Sequence, residues 1–204
     1  MSANLINKYI FRYVIYMKSL CVFCGSSFGQ DEIYRKTARE LAMLLVDKKI
    51  TLVYGGGNIG LMGELARTVR DLGGRVIGII PEFLMIKEVG LVEGCELHVV
   101  ENMHQRKALM AEYSEGFLAL PGGIGTFEEL FEVLTWKQLH LHRKPIGVLN
   151  VKGYYDHLLA FLDHTKKEEF FKDRGLMKVA DQPKELLDLM IHEHAGISTN
   201  YDLI

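Results

Sequence analysis

The chain has 204 residues, 24 basic and 26 acidic side chains, and a formal net charge of −2, which suits one domain with a full core. It lacks the basic surplus of a nucleic-acid-binding protein, so we expect no nucleic acid partner. A small anionic ligand needs only a local positive site and is not excluded. No stretch approaches the roughly 18 apolar residues of a membrane span, so we expect no membrane partner.

The chain begins with an apolar segment, residues 1–16, that Arg12 interrupts and that no small-residue cleavage site follows. We expect residues 1–17 to be an N-terminal extension outside the core. Residues 18–204 are expected to form a single domain.

From residue 19 onward, short apolar runs alternate with segments of helical periodicity. Strands are predicted at 19–24, 50–54, 75–80, 96–100, 116–120, 145–149 and 176–179. Helices are predicted near 30–47, 59–72, 102–114, 126–141, 153–168 and 183–193. Because apolar strands alternate with helices, we predict a doubly wound parallel α/β sheet.

Two of the three cysteines, Cys21 and Cys24, form a C-x-x-C within the first predicted strand. Residues three apart on a strand face opposite sides of the sheet, which suits neither a shared metal nor a redox pair. We interpret them and Cys95 as apolar residues in a reducing compartment, and expect a cytoplasmic protein.

Three predicted strand ends are followed by loops rich in glycine or small polar residues. They read CGSSFG at 24–29, YGGGNIGLMG at 54–63 and PGGIGTFEE at 121–129. In a doubly wound sheet, ligands bind beyond the carboxyl ends of the strands. Three such loops at one edge indicate close approach of the backbone to a ligand.

The segment GGGNIG, residues 55–60, also fits the G-x-G-x-x-G pattern of dinucleotide-binding proteins. It lies in the second strand–helix unit, however, rather than the first. The acid expected about 20 residues later could only be Glu82, which follows a proline. A bound dinucleotide is therefore the weaker interpretation.

The segment LALPGGIGTFEEL, residues 118–130, carries a stronger signal. Pro121 ends the predicted strand, three glycines follow within four positions, and Thr126 is predicted to open a helix. Exposed N–H groups at a helix N-terminus form a site for an anion, and phosphate suits it best. The alternative is a capping box, in which Glu129 only reaches back to the N–H of Thr126.

The helix after this loop has two apolar stripes. An inner stripe comprises Phe127, Leu130, Phe131 and Leu134, and a second stripe comprises Glu129, Val133, Trp136 and His140. The second stripe predicts another packed surface, either a pocket wall or a subunit contact.

The predicted helix at 102–114 places Arg106 in the middle of an apolar face. A buried arginine is costly unless it is paired. We expect Arg106 to form a structural ion pair, or to pair with Glu129, with a phosphate, or with both.

These segments together resemble the Lonely Guy family of cytokinin riboside 5′-monophosphate phosphoribohydrolases, often mislabelled lysine decarboxylases. The similar segments are CVFCGSS at 21–27, LVYGGGNIGLMG at 52–63, MHQRK at 103–107 and LPGGIGTFEEL at 120–130. The resemblance runs from Lys18 to the early 190s. No lysine lies in a recognisable pyridoxal phosphate context, so a lysine decarboxylase is not expected.

The resemblance implies a Rossmann-like hydrolase that cleaves the N-glycosidic bond of adenosine 5′-monophosphates, with or without an N6 substituent. The products would be the free base and ribose 5-phosphate. It also implies no metal or other cofactor, and a homodimer or higher even oligomer with sites near the interface. The alternative is a non-catalytic nucleotide-binding or cofactor-carrier protein of the same fold.

The family's catalytic pair maps onto Arg106 and Glu129. Its nucleotide contacts map onto Glu88, Lys107, Gly123, Ile124, Gly125, Thr126, Phe127, Glu128 and Thr135. The glycine-rich loops add, as expected substrate contacts, Gly25, Ser26, Gly55, Gly56, Gly57 and Gly122. Two departures from the family, Ile124 in place of a tyrosine and Ile86 in place of a proline, bear on base preference.

Overall fold

The computed structural model describes residues 16–85, 93–170, 172 and 175–199, with side chains up to residue 197. These residues contain one parallel sheet of seven strands in the order β4-β3-β2-β1-β5-β6-β7. The strands are β1 Ser19–Phe23, β2 Thr51–Tyr54, β3 Val76–Pro81, β4 Glu96–Val100, β5 Phe117–Ala119, β6 Ile146–Leu149 and β7 Lys178–Ala180. The predicted doubly wound parallel α/β sheet is confirmed.

Helices cover both faces of this sheet. They are α1 Glu32–Asp47, α2 Gly60–Asp71, α3 Glu82–Met85, α4 Met103–Glu112, α5 Ile124–Gln138, α6 Asp156–Lys167 and α7 Pro183–Thr199, with a 3-10 turn at Val151–Gly153. Helices α1, α2 and α7 contribute to one apolar core, and α4, α5 and α6 pack on the other. Since Cys24 belongs to the first core and Cys21 to the second, the two cysteines face opposite sides of the sheet, as predicted.

The order in which successive strands are added to the sheet reverses beside β1. This strand pairs with β2 on one side and with β5 on the other. The loops after β1 and β5 meet there, because the Gly25 N–H donates to the Pro121 carbonyl over 3.1 Å. The loop after β2 joins them, and the Leu61 N–H donates to the Gly25 carbonyl over 3.0 Å. The three glycine-rich loops therefore converge at the switch point, where open α/β sheets bind ligands.

Several features differ from the predictions, including the short helix α3, which was not predicted. Helix α5 begins at Ile124, two residues before the predicted Thr126, because Gly123 supplies the N-cap. Strand β4 was predicted from an apolar run, but it is an edge strand whose residues are half-buried or exposed. Met17, predicted to lie in the extension, is buried in the core.

The remaining N-terminal extension, residues 1–15, lies outside the described residues. Among the helices that the structure describes, none has the length and apolar character needed to cross a membrane.

Candidate active site

The loop after β5 leads directly into the first turn of α5. Gly123 is the N-cap residue and has no side chain to satisfy the N–H groups of that turn. A Cβ atom built on Gly123 or Gly125 would meet nothing within 4 Å in the described part of the chain. The first four N–H groups of a helix lack intrahelical acceptors, so this turn carries N–H donors without helical partners.

The predicted capping box is not formed. Thr126 lies within the first turn of α5 rather than at its N-cap, so Glu129 lies in the second turn. The Thr126 side chain is 4% exposed and packs beneath the loop. A Cβ on Gly122 would come within 2.1 Å of the Thr126 Oγ1 atom, so only glycine fits above this threonine.

Arg106 is held at the inner side of α4. Asn102 caps this helix by accepting from the Gln105 N–H over 2.9 Å, and Arg106 follows one turn later. Only 6% of Arg106 is exposed. Its Nε atom donates to the Ile79 carbonyl over 3.2 Å, and its Nη2 atom donates to the Gly55 carbonyl over 3.3 Å.

The third guanidinium nitrogen, Nη1, lies 3.5 Å from the Oε1 atom of Glu129. Glu129 is 8% exposed, so this ion pair between α4 and α5 is buried. The predicted pairing of Arg106 with Glu129 is present. Gly55 makes it possible, because a Cβ at this position would lie 1.9 Å from the Arg106 Nη2 atom.

The negative charge of Glu129 reaches the adjacent end of β1. Burial raises the pKa of the Cys21 thiol well above its usual value, and the neighbouring Glu129 carboxylate raises it further. Burial likewise raises the pKa of Cys24, with the same carboxylate adding to the effect. Both thiols are therefore neutral, and neither supplies a thiolate nucleophile to the site.

Lys107 follows Arg106 but points to two carboxylates. Its Nζ atom lies 2.5 Å from Glu128 Oε1 and 3.0 Å from Glu132 Oε1. Burial would lower the pKa of Lys107, but the hydrogen bonds that it donates to Glu128 and Glu132 outweigh burial and raise it. Glu132 was not among the predicted site residues. Its spacing of four from Glu128 was the available signal, since such residues share one helix face.

Two members of the predicted second stripe of α5 pack within the chain. Val133 is 3% exposed, and Trp136 packs on the core that contains Met110 of α4. His140, the last member, is exposed. The stripe was predicted to form a pocket wall or a subunit contact, but Val133 and Trp136 contact the core of this chain. The exposed apolar face of α5 instead carries Phe131, which is 37% exposed.

The structure brings most of the predicted residues to one edge of the sheet. Arg106, Lys107 and Glu129 lie beside the residues numbered 122–128 and beside Gly55. Thr135 lies elsewhere, in a groove of about 580 Å³ between α5 and α6. Glu88 lies outside the described residues.

The other predicted glycine contacts lie against the protein itself. Gly25 packs on Gly122, and Gly56 has a φ of 80° and packs on Ile80. Gly57 is buried, and Ser26 is exposed on the loop after β1.

Two tyrosines that the sequence analysis did not single out also contact the β5–α5 loop. The Tyr154 hydroxyl donates to the Gly122 carbonyl, and the Tyr155 hydroxyl donates to the Leu120 carbonyl, each over 2.6 Å. Their position directly after β6, at the same sheet edge as the glycine-rich loops, was the available signal.

Comparison with known proteins identifies close relatives. The family model described as "Possible lysine decarboxylase" matches residues 62–190. A probable cytokinin riboside 5′-monophosphate phosphoribohydrolase of Arabidopsis thaliana is 55% identical over 153 residues, covering 75% of this chain and 76% of that protein. A protein of Oryza sativa subsp. japonica with the same description is 52% identical over 193 residues, covering 91% of each chain.

Among solved structures, the Moco carrier protein of Chlamydomonas reinhardtii is similar in fold. It has a TM-score of 0.67 and 20% sequence identity, and the match covers 88% of this chain and 99% of that one. At this identity, the similarity shows the architecture alone.

Proposed function

This chain belongs to the family of cytokinin riboside 5′-monophosphate phosphoribohydrolases, and from that premise we propose that it hydrolyses the N-glycosidic bond of adenosine 5′-monophosphates. The substrates would carry an N6 prenyl-type group or none, and the products would be the free base and ribose 5-phosphate. The observation that carries this proposal is the buried Arg106–Glu129 pair, 3.5 Å apart, beside the open first turn of α5.

The 5′-phosphate would bind at the N-terminus of α5. The N–H groups of the first turn of α5, from Gly123 to Thr126, lack intrahelical acceptors, and the helix dipole favours an anion there. Two acids, Glu128 and Glu129, follow this turn and would repel a phosphate. Lys107, which contacts Glu128, and Arg106, which contacts Glu129, offset that repulsion.

Glu129 would act at the sugar. When the bond between C1′ and the base nitrogen breaks, its electron pair leaves with the base and positive charge develops on the ribose. A carboxylate beside C1′ stabilises that charge and accepts a proton from the attacking water. The water oxygen bonds to C1′, and the departing base gains a proton, so that the overall reaction consumes one water.

Arg106 would hold this carboxylate in place. Two of its nitrogens are fixed by the carbonyls of Ile79 and Gly55, which leaves Nη1 directed at Glu129. The positive charge favours an ionised carboxylate in a buried site. Arg106 thus contributes both orientation and charge to the proposed reaction.

The proposal includes a homodimer and a cytoplasmic location. The groove between α5 and α6 is lined by exposed apolar side chains, among them Phe131 and Phe161, and it also contains Thr135. A second copy seated there would bury this surface and explain the position of Thr135. Light scattering that gave the mass of one chain at micromolar concentration would refute the dimer. For the location, the cysteines Cys21, Cys24 and Cys95 are all free, in keeping with a reducing compartment.

A comparison of matched substrates tests the proposed reaction. Adenosine and AMP, and N6-prenyladenosine and its monophosphate, are incubated with the protein, and released base and ribose 5-phosphate are measured. Each charge-assisted hydrogen bond to phosphate contributes about 1.5–3 kcal/mol, so losing two should lower kcat/KM by at least about a hundredfold. Remote binding energy also positions C1′, so kcat should fall together with affinity.

Two outcomes would contradict the proposal. Release of no base from any monophosphate would favour the non-catalytic alternative. Equal cleavage of nucleosides and monophosphates would identify a general nucleosidase, in which the loop before α5 does not bind phosphate.

A further inference from the structure

Three successive carbonyls of the β5–α5 loop accept hydrogen bonds from groups outside the loop. Leu120 accepts from the Tyr155 hydroxyl, and Gly122 accepts from the Tyr154 hydroxyl, both over 2.6 Å. Between them, the Pro121 carbonyl accepts from the Gly25 N–H over 3.1 Å. A loop rich in glycine is conformationally permissive, and these bonds remove much of that freedom.

Anchoring a carbonyl also orients the next N–H group. In a planar trans peptide, the C=O and the following N–H point in opposite directions. The bond from Tyr154 to the Gly122 carbonyl therefore directs the Gly123 N–H away from the tyrosine. The bond to the Pro121 carbonyl directs the Gly122 N–H in the same way. Both N–H groups belong to the turn that precedes the open face of α5.

The turn that carries the tyrosines has an unusual backbone. Lys152 has a φ of 54° and Gly153 a φ of 71°, both in the left-handed region. For lysine this conformation is unfavourable, and it persists only where surrounding contacts determine it. Here Asn150 Oδ1 accepts from the Tyr155 N–H over 2.7 Å, and Lys152 Nζ contacts Asp31 Oδ2 at 2.5 Å. The turn is thus held so that two adjacent tyrosines reach two carbonyls of one loop.

The rings fix the hydroxyl positions further. Tyr154 packs edge-on against Tyr155, with ring centroids 5.0 Å apart, and against Tyr34 of α1, with centroids 5.8 Å apart. Tyr155 packs in turn against Phe127 of α5, with centroids 6.2 Å apart. This aromatic row joins both sides of the loop, so that each hydroxyl has little freedom to leave its carbonyl.

We propose that Tyr154 is a positioning residue that sets the Gly123 N–H of the β5–α5 loop for the 5′-phosphate. Tyr155 sets no N–H group, because its acceptor Leu120 is followed by Pro121, and it instead supports the ring of Tyr154. This inference rests on the proposed function, because it assigns Tyr154 to the phosphate half of that site. Tyr154 is not catalytic, since it acts through a backbone carbonyl.

The test measures two product inhibitors of AMP hydrolysis in Tyr154→Phe, which removes the hydroxyl and keeps the ring. Ribose 5-phosphate probes the phosphate side of the site, and adenine probes the base side. Inhibition by ribose 5-phosphate should weaken roughly threefold to tenfold, the value of one hydrogen bond, while inhibition by adenine stays unchanged. The KM for AMP should rise with it.

Tyr34→Phe is the matched control, because it removes a hydroxyl from the same aromatic row and should change neither inhibitor. Equal weakening of both inhibitors in Tyr154→Phe, or of neither, would overturn the positioning role, since a purely structural residue would act in one of those ways. Wild-type protein that releases no adenine from AMP, or that ribose 5-phosphate does not inhibit, would show that the proposed function itself has failed.

Discussion

The glycine-rich loops after β2 and β5 are similar in sequence but differ in their structural role. Each follows a buried strand, belongs to a segment with at least three glycines, and leads into a helix with a buried glutamate. The β2 loop leads to Glu64 of α2, which is 5% exposed, and the β5 loop leads to Glu129 of α5, which is 8% exposed. Burial of the acid therefore does not distinguish the two sites.

The glycines around the β2 loop accommodate the protein itself. Gly60 has a φ of 55°, and a Cβ there would lie 2.2 Å from the Ser26 carbonyl carbon. A Cβ on Gly63 would lie 2.3 Å from the Asn58 carbonyl oxygen. At Gly123 and Gly125, by contrast, a Cβ would meet nothing within 4 Å among the described residues. In the G-x-G-x-x-G pattern of the β2 loop, Gly60 is thus explained by packing against the β1 loop, and Gly55 by the approach of Arg106.

The two acids also differ in how arginines surround them. Glu64 is shared by three arginines: Arg39, Arg35 at 3.1 Å and Arg67 at 3.5 Å. Burial raises the pKa of Glu64, but hydrogen bonds from Arg35 and Arg39 outweigh burial and lower it overall. Arg106 instead divides its nitrogens between Glu129 and two backbone carbonyls.

A buried acid after a glycine-rich loop therefore indicates a ligand site only where the space beside the loop is open. Glu64 is surrounded by α1 and α2 and braces them, whereas Glu129 lies behind the open turn of α5. We therefore expect loss of Glu64 to affect folding, and loss of Glu129 to affect turnover.

The largest effect is expected from Glu129→Gln. Removing a group that stabilises charge and accepts a proton should lower kcat for AMP roughly 10²–10⁴-fold. The variant should remain folded and bind the nucleotide, which circular dichroism and calorimetric titration would check. Glu64→Gln is the matched control, a buried glutamate on the companion helix, and its folded fraction should turn over at the wild-type rate. Near wild-type turnover in Glu129→Gln would remove this residue from the reaction.

A glycine exchange gives the next largest effect. Gly60→Ala should lower the free energy of unfolding by about 2–4 kcal/mol, because left-handed strain adds to overpacking against the β1 loop. Gly125→Ala should raise it by up to about 1 kcal/mol, since alanine favours a helix more than glycine does. The new methyl group should nevertheless raise the KM for AMP. Urea unfolding and steady-state kinetics measure both quantities, and a Gly125→Ala variant with unchanged KM would argue against phosphate binding there.

The smallest effect concerns the pH dependence of stability. Because the folded-state pKa of Glu64 lies below its ordinary value of 4.5, the carboxylate stabilises the fold above that pH and ceases to do so as pH falls through the lowered pKa. Glu64→Gln should cost about 1–2 kcal/mol at neutral pH, where half-exposed arginines are partly screened. The difference from wild type should shrink in urea titrations as pH falls below 4.5 and through the lowered pKa. A difference that stayed constant with pH would contradict this account.

Much of the fold followed from local patterns. The alternation of apolar runs and helical segments predicted the parallel sheet, and helical spacing alone placed Arg106 on a buried face of α4. Local patterns misplaced the start of α5 and did not identify which elements contact its second apolar stripe. The start of α5 was misplaced because Gly123 caps it without a side-chain hydrogen bond, so Thr126 offered a more familiar signal. The Val133 stripe did predict a packed surface, but periodicity does not identify which element covers it.

The sequence by itself determined the fold class, the glycine-rich loops at one sheet edge and the motifs that mark the family, because each depends on residues close together in the chain. Only the tertiary structure decided which glycine-rich loop has open space beside it and which buried glutamate is surrounded by arginines. Arg35 and Arg39 reach Glu64 from another helix, and Tyr154 reaches Gly122 from 32 residues away. Such contacts depend on how strands are ordered in the sheet, which brings distant loops together at the switch point between β1 and β5.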